Sequence, residues 1–469
     1  MKPLFKYLLV AVSFFLLNSC KKFLETPQKS QLSLSQFWKS PNDAELGVAA
    51  IYNEAQVAFE VNYWRWGELR ADNFINNERP NADNAQLVNN QLTTSSSGAD
   101  WSDLYTAILT ANTAIKKIPD IPDFAAKDEL LGEAYALRAL FYFYAVRVWG
   151  AVPKITEPIE GLNQDLNVLR SPAEEIYDEI ILPDLERAQN LVTIEKSLNR
   201  ISLGAIMALK ANVYMWPGKH QDYSVAREAI LQLESFGYSL ETTPTGWKNI
   251  FKGPENSKEI IFSLAWNYNE DGGNSGVGLF STATPELVPS EEVEQKWNAR
   301  IPNDFRTLAT AAFDVEIVPG VEFPYLRILT KYSARFVQRD QQSSWANTND
   351  RDIIFYRLSD LLLLRAEAEN YLDHPSEALS IINRIRTARG LPLVDATITD
   401  KVVIRDLILD ERQFELMGEG HRYWDLVRNG VVLKVMEPVN GMADPNRIFW
   451  PVSQNVLNRN SKITQNEGY

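Results

Sequence analysis

The sequence is poor in cysteine and histidine, which limits the chemistry that it can carry out. One cysteine and three histidines occur among its 469 residues. A single cysteine excludes an intramolecular disulfide and any cysteine-based zinc site. Neither His-Glu-x-x-His nor Gly-x-Ser-x-Gly occurs, so the motifs of two large hydrolase classes are missing. We expect no catalytic activity and no cofactor, although the acidic loop around Asp271 could hold a structural calcium ion.

Positive charge is also scarce. The chain has 47 Lys and Arg against 61 Asp and Glu, a formal net charge of −14. A nucleic-acid-binding protein needs a basic face to displace counterions from phosphates, so this class of protein is disfavoured. Beyond the first 20 residues, no apolar run reaches the length needed to span a bilayer.

The only cysteine lies where a signal peptide would end. Lys2 and Lys6 form a basic start, and residues 7–17 form an apolar segment too short to cross a bilayer. This segment leads into Ser19 and Cys20, which resemble a lipobox. We interpret residues 1–19 as a lipoprotein signal peptide and Cys20 as the lipidated first residue of the mature chain, residues 20–469.

Helix signals dominate the rest of the chain, which predicts a mostly α-helical fold. Ser40 followed by Pro41 is typical of a helix start. Pro183 lies inside a helical stretch that it should kink or break. One helical face is outlined by apolar residues at spacings of three and four, and Gly150 and Pro153 end that helix: Leu130, Ala134, Leu137, Phe141, Ala145 and Val148.

A weak internal repeat indicates helix pairs. Similar tripeptides begin at Leu137, Leu209 and Leu364, and each lies in an apolar helix. Each is followed by a turn and an Ala-rich second helix: residues 183–192, 226–236 and 377–389. Such pairs resemble tetratricopeptide units. Because the spacing between the pairs is irregular, we do not expect a simple solenoid.

Two long excursions interrupt the helices. Residues 60–100, here the first insertion, are rich in Asn. Residues 240–350, the second insertion, contain an expected strand at residues 259–266. Segments of this length are too long to be idle connections, so we expect them to be functional or packed.

The insertions contain the best candidates for ligand binding. A sugar offers an apolar C–H face that suits Trp or Tyr, and a rim of hydroxyls that suits Asn, Asp and Arg. Core packing is the alternative for each aromatic residue. Trp345 lies in a polar stretch beside Asn347 and Asn349. The candidate ligand-binding residues are Trp64, Trp66, Arg70, Asp72, Asn73, Trp266, Tyr268 and Trp345.

The segment from Glu411 to Arg428 is dense in charge. Glu411, Glu415 and Glu419 recur at four-residue steps and so share a helical face. Paired carboxylates could act on a glycosidic bond. Interleaved arginines could instead neutralise them in a structural network. We favour the structural interpretation.

The same segment resembles the C-terminal part of SusD/RagB proteins. Its Glu-Arg-x-x-Glu-Leu, Glu-Gly-x-Arg and Trp-Asp-Leu-x-Arg elements follow the pattern of that family. Further segments are similar in the same order, and together they cover most of the chain: residues 20–27, 101–115, 134–153, 356–368 and 450–469.

The resemblance implies a SusD-like helical scaffold of tetratricopeptide-like pairs with loop-rich insertions and minor β-structure. It also implies a lipid anchor at the outer membrane facing the exterior, a SusC-like TonB-dependent transporter as partner, and ligand capture without catalysis. A glycan is the expected ligand. The alternatives are oligopeptide uptake on the same scaffold, a glycosidase using Glu411, Glu415 or Asp425, and a subunit that only stabilises the transporter.

Overall fold

The computed structural model describes residues 37–77, 81–160, 167–281, 285–300, 304–306, 311–312, 328–329, 331–332 and 350–469. Cys20 and Trp345 lie outside these ranges, as does the side chain of Tyr268.

Helices make up most of the described chain, as predicted. The first group is α1 (Pro41–Phe59), α2 (Asn62–Gly67), α3 (Ala82–Val88), α4 (Ser102–Lys117), α5 (Lys127–Trp149), α6 (Ala173–Ile176), α7 (Leu182–Leu191), α8 (Leu203–Met215) and α9 (Tyr223–Ser235). The second is α10 (Pro244–Lys252), α11 (Tyr268–Asp271), α12 (Gly278–Ser281), α13 (Glu291–Arg300), α14 (Leu358–Tyr371), α15 (Pro375–Ala388), α16 (Lys401–Leu416), α17 (Arg422–Arg428), α18 (Val432–Asn440) and α19 (Gln454–Arg459).

The predicted helix start at Ser40 is confirmed. Its hydroxyl accepts from the Asp43 backbone N–H at 3.2 Å, and the Asp43 carboxylate accepts from the Ser40 backbone N–H at 2.9 Å. This reciprocal capping satisfies two backbone N–H groups at the helix start. Pro41 costs no hydrogen bond there, because a backbone N–H in the first turn has no acceptor within the helix.

The expected helix pairs are also confirmed. Helix α5 packs against α7, α8 against α9, and α14 against α15. Helix α9 also contacts α14, which joins the second pair to the third. Helix α5 carries more than one apolar face, because it is buried on every side from Ala136 to Trp149. It contacts α1 and α4 as well as α7, so it lies in the middle of the core.

Pro183 is accommodated by a local change of helix type. It lies in the first turn of α7, directly after a π-helical turn at Tyr177–Ile181. Proline has no N–H to donate, so inside a regular α-helix it would leave one backbone carbonyl without its hydrogen bond. The π-helical turn shifts the hydrogen-bond pattern locally and so avoids that loss.

The strands are short and form antiparallel two-stranded pairs. They are β1 (Phe74–Asn76), β2 (Val152–Pro153), β3 (Arg170–Ser171), β4 (Ile260–Leu264), β5 (Leu287–Pro289), β6 (Ala311–Ala312), β7 (Ile328–Leu329) and β8 (Ile353–Arg357). The pairs are β1–β5, β2–β3, β4–β8 and β6–β7. Strand β4 confirms the strand expected at residues 259–266, and all five of its residues are buried.

The C-terminal tail closes the end of α5. Gly150 ends that helix with a φ of 73°, a conformation that suits glycine. The last carbonyls of a helix lack partners within it. Here the Asn466 side chain donates to the Trp149 carbonyl at 3.0 Å, and the Trp450 backbone N–H donates to the Val148 carbonyl at 2.8 Å.

None of the helices in the described ranges combines the length and the apolar character needed to cross a membrane.

Candidate functional site

The two insertions meet in the folded chain. Strand β1 of the first pairs with β5 of the second, with Phe74 opposite Pro289 and Asn76 opposite Leu287. The pairing is extended by the Ser290 backbone N–H, which donates to the Asn73 carbonyl at 2.9 Å. Residues more than 200 positions apart therefore form one surface.

Trp64 and Trp66 belong to the hydrophobic core. Both are 1% exposed, which favours core packing, the alternative to ligand contact, for both rings. The Trp64 indole donates to the Gly418 carbonyl at 2.8 Å, and the Trp66 indole donates to the Gly98 carbonyl at 2.9 Å. Burial in the core is more favourable than exposure to water for a large apolar ring whose single N–H donor is hydrogen-bonded. Both residues anchor α2.

The polar candidates in the same segment are buried too. The Arg70 guanidinium donates to the Ile448 carbonyl at 3.0 Å. Arg422 donates two hydrogen bonds to the Asp72 carboxylate, at 2.7 and 2.8 Å. Burial acts to raise the pKa of Asp72, but Arg422 outweighs it and lowers that pKa. Both side chains are buried and other parts of the protein use their hydrogen-bonding groups, so ligand contact by Arg70 and Asp72 is disfavoured.

Asn73 completes this buried polar group. Its amide donates to the Glu68 carboxylate at 2.7 Å and its carbonyl accepts from Gln413 at 2.9 Å. Trp266, in the second insertion, is 7% exposed, so its ring is buried as well. Ligand contact by Tyr268 and Trp345 stays a prediction, since their side chains lie outside the described residues.

A cluster of polar side chains from the two insertions lies partly exposed to solvent. We call it the insertion face, and it consists of Asn62, Arg65, Asp83, Asn84 and Glu286. Asn84 is buried and supports the others, which are half-buried or exposed. Asn62 and Arg65 lie three residues apart on α2 and so share a helical face.

Hydrogen bonds join four of the five members of the insertion face, while the Asp83 carboxylate accepts from the Ser97 hydroxyl at 2.7 Å. Arg65 donates to the Asn62 side-chain oxygen at 3.2 Å and to the Asn84 side-chain oxygen at 3.4 Å. The Asn84 amide donates to the Glu286 carboxylate at 2.5 Å. The Nη2 of Arg65 has no hydrogen bond to any residue in the described part of the chain. It is a donor that a ligand hydroxyl can use.

The electrostatics of the insertion face keep Arg65 charged. Burial lowers the pKa of its guanidinium, while Asp83, Glu286 and Glu60 act to raise it. A guanidinium stays protonated in proteins under any ordinary condition. The face therefore offers cationic donors, amide groups and carboxylate acceptors side by side.

The charged segment at residues 411–428 lies in the protein interior and forms a charge network. Glu415 accepts from Arg306 at 2.6 Å, from Arg357 at 2.8 Å and from Arg389 at 2.6 Å. Glu419 pairs with Arg357 at 2.7 Å and with Lys331 at 2.5 Å. The network consists of Glu259, Asp304, Arg306, Lys331, Arg357, Arg389, Glu411, Glu415 and Glu419.

Burial and pairing decide what this network can do. Glu411, Glu415 and Glu419 are at most 2% exposed. Burial acts to raise the pKa of Glu415, but Arg389, Arg357 and Arg306 hold it well below its usual range. A carboxylate surrounded by guanidiniums and closed to solvent has neither the proton nor the access that a general acid needs. These contacts support the structural interpretation.

Asp425 belongs to a neighbouring group of ion pairs. Arg412 lies 2.8 Å from its carboxylate, and so does Arg428. Burial acts to raise the pKa of Asp425, but the two arginines outweigh it and lower that pKa to about 2. Asp425 is 1% exposed, so it also lacks access to a substrate.

Glu68 connects the first insertion to the charged segment. Its carboxylate accepts from the backbone N–H groups of Gly418 and Gly420, at 3.1 and 3.0 Å. Burial raises the pKa of Glu68 to about 7, although these bonds and the Asn73 amide act to lower it. The residue binds the loop at 417–420 beneath the insertion face.

Metal ligands are not grouped in the described part of the chain. Over those residues, no set of three or more His, Cys, Asp or Glu side chains is arranged to hold a metal ion. The expected absence of a cofactor stays a prediction.

Most of the insertion face could not be predicted from the sequence. The helical spacing places Asn62 and Arg65 on a different face of α2 from the buried tryptophans, so these two residues could have been predicted as exposed. Asn84 and Glu286 carried no such signal, because their contact joins the two insertions over 202 positions.

Known proteins resemble this chain along its whole length. A family model described as the SusD family matches residues 319–469, and one described as starch-binding associating with outer membrane matches residues 22–215. SusD-like protein P38 of Formosa agariphila is 35% identical over 98% of both chains. SusD-like protein P25 of the same organism is 24% identical over 93% of this chain and 91% of its own.

Solved structures share the fold. A SusD superfamily protein from Bacteroides vulgatus has a TM-score of 0.79 at 18% identity, over 92% of this chain and 100% of its own. A laminarin binding SusD-like protein has a TM-score of 0.75 at 23% identity, also over 92% and 100%. With 35% identity to SusD-like protein P38 over nearly its full length, the chain belongs to the SusD family.

Proposed function

We propose that this protein captures an oligosaccharide or polysaccharide nutrient and delivers it to a SusC-like TonB-dependent transporter of the outer membrane. The proposal rests above all on the insertion face. There, Arg65 has an unused donor near the exposed carboxylate of Asp83 and the half-buried carboxylate of Glu286. Sugar hydroxyls donate and accept hydrogen bonds, so a surface that offers both kinds of partner suits them.

The relatives support the same ligand class. One structural relative is described as laminarin binding, and one matching family model as starch-binding. The carboxylates of Glu411, Glu415 and Glu419 are buried in ion pairs, which supports binding without cleavage.

Titration calorimetry on residues 21–469 tests the ligand class. Laminarin, starch, other plant, host and microbial polysaccharides and a mixed peptide digest would be titrated in turn. We expect saturable binding to one polysaccharide, weakened roughly tenfold in Arg65→Ala, which is the loss of one charged hydrogen bond. Binding to peptides alone would contradict the proposal and favour oligopeptide uptake.

The control for Arg65→Ala is Arg459→Ala, at an exposed arginine on α19. We expect it to bind like the unchanged protein. Variants of Trp64 or Trp266 are unsuitable for locating the site, because removal of a buried Trp costs about 3–5 kcal/mol of stability. Tyr268→Ala and Trp345→Ala test the two remaining aromatic predictions.

Attachment and partner need a separate experiment. We propose that the chain is anchored through lipid on Cys20 and faces the exterior. In the native host, Cys20→Ser should move the protein out of the membrane fraction, and affinity purification of the unchanged protein should retrieve a TonB-dependent barrel. Retention of Cys20→Ser in the membrane fraction would contradict lipid anchoring.

A further inference from the structure

A small cavity lies among α5, α8, β8 and α17, away from the insertion face. Aromatic rings of Tyr144, Trp216, Phe355 and Trp424 line it together with the guanidinium groups of Arg147 and Arg428. It has room for about one water-sized particle. No carboxylate is among the described residues that line it.

The charge of Arg147 has no counterion. This residue is 7% exposed, and no described Asp or Glu lies within ion-pair distance of it. Its guanidinium carbon lies 4.2 Å from the ring centre of Tyr144 and 4.8 Å from that of Trp424. Its Nε has no hydrogen-bond partner. Aromatic faces attract a cation, but they do not accept its N–H groups as an anion does.

Arg428, the other arginine that lines the cavity, has carboxylate partners. Arg428 lies 2.7 Å from Glu367 and 2.8 Å from Asp425. His421, which also lines the cavity, adds no charge near neutral pH, because burial lowers its pKa. Arg428 thus has two carboxylate partners, while Arg147 has none within ion-pair distance in the described part of the chain. Among the side chains that line the cavity, the positive charge of Arg147 is left unpaired.

A buried and uncompensated charge is costly, and an anion offsets that cost better than water does. The occupant must be small, since the cavity holds roughly one particle of water size. It must also be singly charged, since one guanidinium lacks a partner. We propose that this cavity binds one small monovalent anion of chloride size, held by Arg147 and surrounded by the aromatic rings. This site is independent of glycan capture.

Thermal unfolding of residues 21–469 tests the proposal. Sodium chloride would replace sodium gluconate at constant ionic strength, because gluconate is too large for the cavity. We expect the unfolding midpoint to rise saturably, by roughly 2 °C or more, as for any ligand that binds only the folded state. Arg147→Gln should lose this dependence, and Arg459→Gln should keep it.

Crystals soaked in bromide locate the site directly. We expect an anomalous peak beside Arg147 in the unchanged protein, which decides the question even where Arg147→Gln fails to fold. A midpoint that does not respond to chloride, together with no bromide peak in the cavity, would overturn the proposal. A chloride effect that persists undiminished in Arg147→Gln would overturn it as well, because the anion would then bind elsewhere.

Discussion

The charge network and the insertion face use the same residue types in opposite surroundings. In the network, three arginines contact the single carboxylate of Glu415, and every member is buried. In the insertion face, Arg65 leaves a donor unused and Asp83 faces solvent. The difference shows that access and spare hydrogen-bonding capacity separate a binding surface from a structural network. Charge density alone does not.

The largest expected effect comes from breaking the network at its centre. Glu415→Gln removes the charge of the one carboxylate that Arg306, Arg357 and Arg389 share and breaks three buried ion pairs at once. It should therefore lower the free energy of unfolding by about 3–5 kcal/mol. Denaturant titration would measure this, with the exposed Glu437→Gln as control. A Glu415→Gln protein as stable as the original would contradict the structural role. A folded variant that had lost a measurable hydrolysis would contradict binding without catalysis.

A pH-dependent effect is expected at Glu68, which lies between the two regions. Its folded pKa of about 7 exceeds the ordinary 4.5, so between these values the folded protein keeps a proton that the unfolded chain releases. Its stabilising contribution is therefore full below pH 4.5 and is lost as the pH rises through 7. From pH 5 to pH 8 this amounts to about 2–3 kcal/mol.

Denaturant titration at pH 5 and pH 8 would check the Glu68 prediction. Glu68→Gln cannot titrate, so its stability should fall by about 2–3 kcal/mol less over this interval than that of the unchanged protein. Equal pH dependence in the two proteins would show that Glu68 has an ordinary pKa.

A smaller effect is expected where α2 approaches the loop at 417–420. A Cβ added at Gly67 would lie 1.9 Å from the Gly420 carbonyl oxygen. Gly67→Ala should therefore cost about 1–3 kcal/mol of stability, as overpacking of a core does. At Gly253 the nearest atoms are the ends of flexible side chains, the closest at 3.2 Å. Gly253→Ala is the matched control. A similar loss of stability in both variants would contradict the close approach of α2 to the loop at 417–420.

The smallest effect on stability is expected at Asp83, on the insertion face. Asp83→Asn should change the free energy of unfolding by less than about 0.5 kcal/mol, as at most exposed positions. It should weaken binding of the polysaccharide that titration identifies, because a charged acceptor is lost. Asp395→Asn is the matched control, since that exposed carboxylate also accepts from a hydroxyl. If Asp83→Asn binds the polysaccharide with unchanged affinity, Asp83 does not belong to the ligand-binding site.

The helices could be predicted because their signals are local. The three-and-four spacing around Leu137, the cap at Ser40 and the stop at Gly150 each depend on neighbours in sequence. Long-range burial could not be predicted in this way. Trp64 and Arg70 lie in a polar segment, yet both are buried because Gly418 and Ile448 supply carbonyl partners from the far end of the chain.

The attachment of the C-terminal tail to α5 has a consequence for the order of folding. The bond between Asn466 and the Trp149 carbonyl joins residues 317 positions apart. The early helix pairs can form first, since their contacts are local. The end of α5 acquires its C-terminal partners only when the tail has packed onto it. A chain that lacks its final residues leaves the Val148 and Trp149 carbonyls with fewer hydrogen bonds, so this end of the helix should open more readily to proteolysis.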